Sequence, residues 1–123
     1  MDTSLQFINV DKVHSGENLP KPYKGEGVVV GVLDSGIDWT HPAFSNENGN
    51  RIQFLWDMSD DSNPPADFNY GTEYTKADLD QQNSNQIDDN GHGTHVASTA
   101  AGNAGGEDYA LDGVAPRGRY CVR

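Results

Sequence analysis

The sequence has little cysteine, few basic residues and no long apolar run, and each shortage excludes a class of protein. Cys121 is the only cysteine, so no disulfide forms within the chain. The cysteine content therefore does not indicate the cellular compartment. Eight lysines and arginines stand against 19 aspartates and glutamates, giving a net charge of −11. Such an acidic chain does not attract nucleic acids or anionic membranes. No apolar run reaches the roughly 18 residues of a membrane-spanning helix. We therefore expect no nucleic-acid partner and no membrane partner.

The chain suits one domain with a modest core, because it has 123 residues of which 34% are hydrophobic. Residues 1–24 are polar and predict an N-terminal extension. Residues 25–123 form the domain, with an insertion at about 46–89. The first residues, Met1–Val10, lack the basic stretch and apolar core of a secretion signal, so we expect no signal peptide in this chain.

The clearest local patterns are one strand and one helix. Val28–Leu33 is β-branched, nearly continuous and short, which is typical of a strand buried on both faces in a parallel sheet. Asp34 follows at its carboxyl end, where open α/β sheets place their chemistry. Small apolar residues then predict a helix from about His92 to Ala101, with Gly102 as its natural stop. Because small side chains allow close packing, we expect this helix to be buried.

Weaker patterns predict the remaining elements. Residues 1–24 predict one or two helical turns and an extended linker. Thr75 is placed to cap a short helix through about Gln82, with Asp78 near the positive end of the helix dipole. Further strands are predicted at 51–56, 70–74 and 120–122. The whole pattern indicates an α/β domain.

One acid and one histidine are candidates for catalysis. Asp34 can accept the Nδ1 proton of His92 and hold the ring in one tautomer. His92 can then take a proton from a serine hydroxyl through Nε2. A helix N-terminus disfavours the charged ring, so we expect the free base to be available near neutral pH. The structural alternative is that Asp34 caps a turn and His92 caps a helix.

The nucleophile for such a pair is missing. Ser98 is the only serine after His92. The helical segment between them turns through roughly 600° and rises about 9 Å, so Ser98 points away from His92. We therefore expect the front portion of a serine peptidase, cut off before its nucleophile and inactive alone.

Three motifs occur in a fixed order, namely Asp34-Ser35-Gly36, His92-Gly93-Thr94-His95-Val96-Ala97 and Gly113-Val114-Ala115-Pro116. With these motifs the chain resembles the subtilases, the subtilisin-like serine peptidases, over residues 25–116. The stretch 51–82 is similar to the branch that includes clostridial germination proteases. The resemblance implies an α/β fold, an incomplete subtilisin-like three-layer αβα arrangement with a mostly parallel sheet. We expect it to be truncated after the first two or three strands, with 25–123 as the amino-terminal part of a catalytic domain.

The resemblance also implies a function. The parent protein is then a serine endopeptidase that hydrolyses peptide bonds in a peptide or protein substrate, with Asp34 and His92 as catalytic residues. The implied serine and an asparagine oxyanion donor lie downstream, and the chemistry requires no cofactor. The alternative is a non-catalytic subtilase-like protein that works by binding or regulation. Because the sheet is incomplete, we expect the fragment to self-associate, including by exchange of segments between copies.

Calcium and zinc are the two metals to consider. Subtilases often bind calcium, which prefers oxygen ligands. The candidate ligands are Asp57, Asp60, Asp61 and Asp67, or Asp88 and Asp89 with Asn90. None of these fits a spaced-ligand loop, so a solvated acidic loop is the simpler interpretation. His92 and His95 share a helix face and suggest zinc, but no carboxylate at helix spacing completes that site.

Overall fold

The computed structural model of the chain describes residues 2–104 and 111–123. It begins with two short helices, α1 (Asp2–Phe7) and α2 (Val10–Ser15), and then strand β1 (Val29–Val32). The elements that follow are a 3₁₀ turn (Pro42–Phe44), β2 (Ser45–Asn46), β3 (Gly49–Asn50), β4 (Ile52–Asp57), β5 (Thr72–Thr75), α3 (Lys76–Asp80), α4 (His92–Ala101) and β6 (Arg119–Val122). Within the described residues, no helix has the length and apolar character needed to cross a membrane.

Four strands form the main sheet, in the order β1-β6-β4-β5. β1 and β4 both run parallel to β6, which lies between them, and β5 pairs antiparallel with β4 at the edge. β2 and β3 form a separate small hairpin. The structure thus confirms a mixed α/β fold with a mostly parallel sheet.

Two predicted helix signals are found where the sequence put them. α4 spans His92–Ala101, with Gly102 as its C-cap. Thr75 caps α3, because its backbone N–H and hydroxyl both donate to the Asp78 carboxylate and its hydroxyl oxygen accepts from the Asp78 N–H. α3 ends at Asp80, short of the predicted Gln82. Gln82 has a φ of 59°, a left-handed conformation that no helix continues through.

The core lies between α4 and one face of the sheet. Its members without any exposed surface are Ile37, Phe44, Ile52, Ala97, Ala101, Tyr120 and Val122. The ring of Phe44 packs edge-on against Tyr120, and the Tyr120 hydroxyl donates to the Ala97 carbonyl across 3.0 Å. The central strand β6 is therefore joined to α4 by both packing and a hydrogen bond.

The prediction that Val28–Leu33 is buried on both faces is wrong for this structure. Val32 is only 7% exposed, but Val29 is 57% exposed and Leu33 is 71% exposed. Among the strands of residues 2–104 and 111–123, β1 pairs with β6 alone and is therefore an edge strand. Side chains alternate between the two faces of a strand. One face of β1 meets the core, and among the described residues nothing covers the other.

The expected burial of α4 is correct for one stripe only. Gly93, Ala97 and Ala101 are buried, and their spacing of four places them on one helix face. Val96, on another face, is exposed. α4 is therefore a half-buried helix that uses its smallest residues for contact.

A buried arginine connects several segments next to the starts of β4 and β6. Arg51 is 3% exposed. Its guanidinium donates to the backbone carbonyls of Ala43, Ala101 and Gly118 at 2.7–3.1 Å. Burial lowers the pKa of Arg51 from its ordinary value. Because the Ala101 carbonyl is at the end of α4, where no helical donor remains, Arg51 completes the hydrogen bonding of that terminus.

Candidate active site

Asp34 and His92, the two residues predicted to be catalytic, are in contact. Asp34, two residues beyond the end of β1, and His92, the first residue of α4, lie 58 positions apart in the chain. His92 Nδ1 is 2.7 Å from Asp34 Oδ1. The His92 side chain is 66% exposed and that of Asp34 is 19% exposed. The predicted contact is present, while the catalytic roles of these residues remain predictions.

Glycine makes this meeting sterically possible. A Cβ on Gly93 would lie 2.1 Å from the carbonyl oxygen of Gly36. Gly36 itself has a φ of 125°, a conformation that side-chain-bearing residues rarely adopt. The loop after β1 and the first turn of α4 are therefore in backbone contact, which brings the acid to the histidine.

The contact shifts both pKa values. The hydrogen bond with His92 lowers the pKa of Asp34, and the Ser35 N–H, 2.8 Å from Asp34 Oδ1, lowers it further. The same hydrogen bond and the carboxylate charge raise the pKa of His92. The helix N-terminus was expected to disfavour the charged ring, whereas the Asp34 carboxylate acts in the opposite direction and favours it.

Sequence reasoning missed the polar network behind this pair, which is centred on Asp88. The hydroxyl of Ser35 donates to Asp88 Oδ1 across 2.8 Å and accepts from the Gly93 N–H across 3.0 Å. The Gly91 N–H also donates to Oδ1, at 3.0 Å. Oδ2 accepts from the N–H of Thr94 at 2.9 Å and from its hydroxyl. Asp88 thus binds both the loop after β1 and the start of α4.

Asp88 is strongly acidic. Partial burial acts to raise its pKa, but hydrogen bonds from Thr94, Ser35 and Gly91 outweigh burial and lower the pKa to about 2. Asp88 lies four residues before α4, whose N-cap residue is Gly91, so a local capping pattern does not identify it. Its bond to Ser35, 53 positions earlier, had no local signal.

Several of the carboxylates considered as metal ligands accept hydrogen bonds from the chain itself. Within residues 2–104 and 111–123, no three histidine, cysteine or carboxylate side chains are grouped to hold a metal ion. Asp57 accepts from the N–H and hydroxyl of Ser59, and Asp61 accepts from the Gly71 N–H. Asp88 has its oxygens occupied by protein donors. These carboxylates cap turns and a helix.

Ser98 is turned away, as expected. Its hydroxyl donates to the carbonyl of His95, one turn back on α4, across 2.9 Å. The hydroxyl of Ser35 is engaged by Asp88. No hydrogen bond from the described residues reaches Nε2 of His92. The ring therefore presents a free nitrogen on the side opposite Asp34.

A cavity of about 320 Å³ lies beside the acid, at the carboxyl end of the parallel strands. Its lining includes Asp34, Trp56, Met58, Ile87 and Arg123. The Arg123 guanidinium lies 5.1 Å from the centre of the Trp56 ring. This edge of the sheet is where α/β proteins bind their ligands.

Comparisons with known proteins agree with this geometry. The model of the subtilase family matches residues 25–119. The chain is 32% identical to the subtilisin-like protease SBT2.1 of Arabidopsis thaliana over 81% of its length, and 29% identical to a subtilisin of Bacillus sp. (strain TA39) over 87%. It spans only 15% and 20% of those two proteins.

A solved structure is also similar. The CspB protease of Clostridium perfringens matches 99% of the chain with a TM-score of 0.79 and 30% identity, and the match covers 24% of that protein. This similarity agrees with the clostridial branch expected from the sequence. With a family match over residues 25–119 and a shared fold, the chain belongs to the subtilase family.

Proposed function

We propose that Asp34 and His92 are the acid and the base of a serine endopeptidase whose nucleophile lies outside these 123 residues. The observation that carries this proposal is the 2.7 Å contact between Asp34 Oδ1 and His92 Nδ1. Because an ionised Asp34 carboxylate can only accept, the contact supports a proton on Nδ1, with Nε2 as the proton acceptor. A subtilisin-type triad needs this arrangement.

The proposed chemistry assigns each residue a step. Asp34 holds the Nδ1–H of His92 and stabilises the imidazolium that forms during reaction. Nε2 of His92 takes the proton of an attacking serine hydroxyl and later donates it to the leaving amine of the cleaved peptide. The raised pKa of His92 makes it a stronger base once it is deprotonated. No cofactor is required for these steps.

The 123-residue chain is proposed to be inactive alone. Ser35 and Ser98 are both bonded elsewhere. A fluorophosphonate, which labels activated serines, tests this directly. We expect no labelling of the isolated chain, and stoichiometric serine labelling would contradict the proposal.

Complementation tests the positive part of the proposal. The chain would be co-expressed with the part of the Clostridium perfringens CspB protease that lies outside the matched region. We expect fluorophosphonate labelling of the CspB part when it is paired with the native chain. Labelling should be lost with His92→Ala and retained with the control His95→Ala, which alters an exposed histidine on the same helix. Equal labelling with the native chain and His92→Ala would contradict a role for His92 as the base.

The proposed substrate is a peptide or protein. The cavity beside Asp34 supports this, because it combines an apolar wall with a cation and adjoins the acid. A non-catalytic binding role is the alternative, but the intact acid–base contact favours the enzyme. Cleavage of a casein substrate by the complemented complex, dependent on His92, would separate the two.

A further inference from the structure

We propose that Ser35, Asp88 and Thr94 form a positioning bracket that holds Asp34 and His92 in register. The inference rests on the proposed function, because it assigns these residues to the same acid–base pair. None of the three touches the reacting atoms. They act by fixing the backbone on either side of the pair.

The bracket joins the two chain segments next to the pair. Ser35 directly follows Asp34, and its hydroxyl binds both the Asp88 carboxylate and the N–H of Gly93. Gly93 directly follows His92. Asp34 and His92 are therefore each one residue away from a hydrogen bond between the β1 loop and α4. Movement of this loop against the helix would break those bonds.

Thr94 extends the bracket from the helix side. Its N–H and hydroxyl donate to Asp88 Oδ2, and its hydroxyl oxygen accepts from the N–H of Asp38 across 2.8 Å. Asp38 is in the loop that follows β1. The loop is thus bound to the start of α4 at two separate points, Ser35 and Asp38, which restrains rotation as well as translation.

Asp88 is saturated as an acceptor. An ionised carboxylate has about four acceptor sites. Asp88 receives four hydrogen bonds, one from Ser35, one from Gly91 and two from Thr94. A fully satisfied network of this kind has one preferred geometry. These four protein donors occupy the acceptor sites of Asp88.

The acid–base pair needs such support. The His92 side chain is 66% exposed, and exposed ion pairs contribute little to fixing their own geometry. The pair consists of one hydrogen bond between two rotatable side chains. The bracket supplies the rigidity that the pair lacks.

The test measures the pKa of His92 by NMR titration of the native chain and of variants, at about 0.15 M salt to screen distant charges. Ser35→Ala removes one side of the bracket without changing charge. Thr94→Val removes the hydroxyl bonds to Asp88 and Asp38 with nearly the same shape and keeps the bond from the Thr94 N–H. Ser98→Ala is the matched control, because it removes a hydroxyl of α4 that donates to the His95 carbonyl and, among the described residues, is not bonded to the bracket. Asp34→Asn gives the pKa shift for complete loss of the carboxylate.

We expect Ser35→Ala and Thr94→Val each to lower the pKa of His92 by a part of the shift seen in Asp34→Asn, and Ser98→Ala to leave it unchanged. Ser35→Thr, which keeps the hydroxyl, should restore the native pKa. A bracket that only stabilised the fold would lower the melting temperature and leave the pKa in place.

Two results would overturn the inference. An unchanged pKa in a folded Ser35→Ala or Thr94→Val chain would show that the pair holds its own register. An equal fall in Ser98→Ala would show a nonspecific effect. A different result would contradict the proposed function. An unchanged pKa of His92 in Asp34→Asn would show that the two side chains are not in contact. If Ser35→Ala does not fold, Thr94→Val decides the question.

Discussion

The junction between the β1 loop and α4 contrasts with the outer side of β1, although the two lie a few residues apart in sequence. At the junction, Gly36 and Gly93 are in backbone contact and Asp88 fills its acceptor sites. On the outer side of β1, Val29 and Leu33 are mostly exposed. A Cβ added to Gly31 would meet nothing within 4 Å.

The comparison shows that polar and steric contacts position Asp34 and His92 within this chain. The same contacts do not bury both faces of β1, the strand that precedes Asp34. Hydrogen bonds saturate after a few partners that lie near one another in space. Covering a sheet face requires a second layer of structure. The acid–base pair is therefore in place even though one side of the sheet has no described covering.

The largest expected effect comes from making the same substitution, glycine to alanine, in each of the two regions. Gly93→Ala would push a methyl group into the carbonyl oxygen of Gly36, so the helix and the loop must separate. We expect a loss of about 3 kcal/mol in the free energy of unfolding, measured with urea. Gly31→Ala is the matched control and should change stability by less than about 1 kcal/mol. Similar losses of unfolding free energy in both variants would contradict the proposed difference between the two regions.

A second pair of variants tests the two faces of β1. Val32→Ala removes two methyl groups from the core and should cost about 2 kcal/mol. Val29→Ala removes the same groups from the exposed face and should cost less than about 0.5 kcal/mol. Urea unfolding of both variants provides the measurement. A large loss for Val29→Ala would mean that its face is covered in solution.

Our third prediction concerns what covers the outer side of β1. We propose that the apolar outer side and open edge of β1 drive self-association of the chain, including exchange of segments between copies. Light scattering at tens of micromolar should give a mass above that of one chain. Val29→Lys, which places a charge at the edge, should shift the population to single chains, whereas Phe7→Lys on α1 should not. A sharp monomer mass for the native chain would contradict the prediction.

A smaller effect is expected at the pair itself, through pH. Asp34 has a lowered pKa, so its contribution to stability is present above its unfolded pKa and fades as pH falls through the folded value. His92 has a raised pKa, so its contribution is present below its unfolded pKa and is lost as pH rises through the folded value. The difference in melting temperature between native chain and Asp34→Asn should therefore be largest between about pH 4 and pH 6.5. A difference that is constant from pH 3 to pH 9 would be inconsistent with this contact.

Local patterns predicted most of the elements and the pair. α4 and its Gly102 stop follow from small residues and a capping glycine, and the Thr75 cap is found with its partner Asp78. The contact between Asp34 and His92 follows from motif order. Each of these depends on residues close in sequence or on a known arrangement.

Long-range features were not predictable in the same way. Arg51 reads as the first residue of a strand, yet its guanidinium binds carbonyls from elements up to 67 positions away. The position of β6 between β1 and β4 has no signal in Arg119–Val122 alone. Burial of β1 was overpredicted, because an apolar run shows what a strand could bury and not whether a layer is there to bury it.

The most direct test of the central claim is the tautomer of neutral His92. The imidazole nitrogen chemical shifts, measured above the pKa of His92, distinguish a protonated nitrogen from a free one. If Asp34 orients the ring as a general base, Nδ1 carries the proton and Nε2 is free, and Asp34→Asn loses this preference. A native chain in which neutral His92 carries its proton on Nε2 would contradict the assignment.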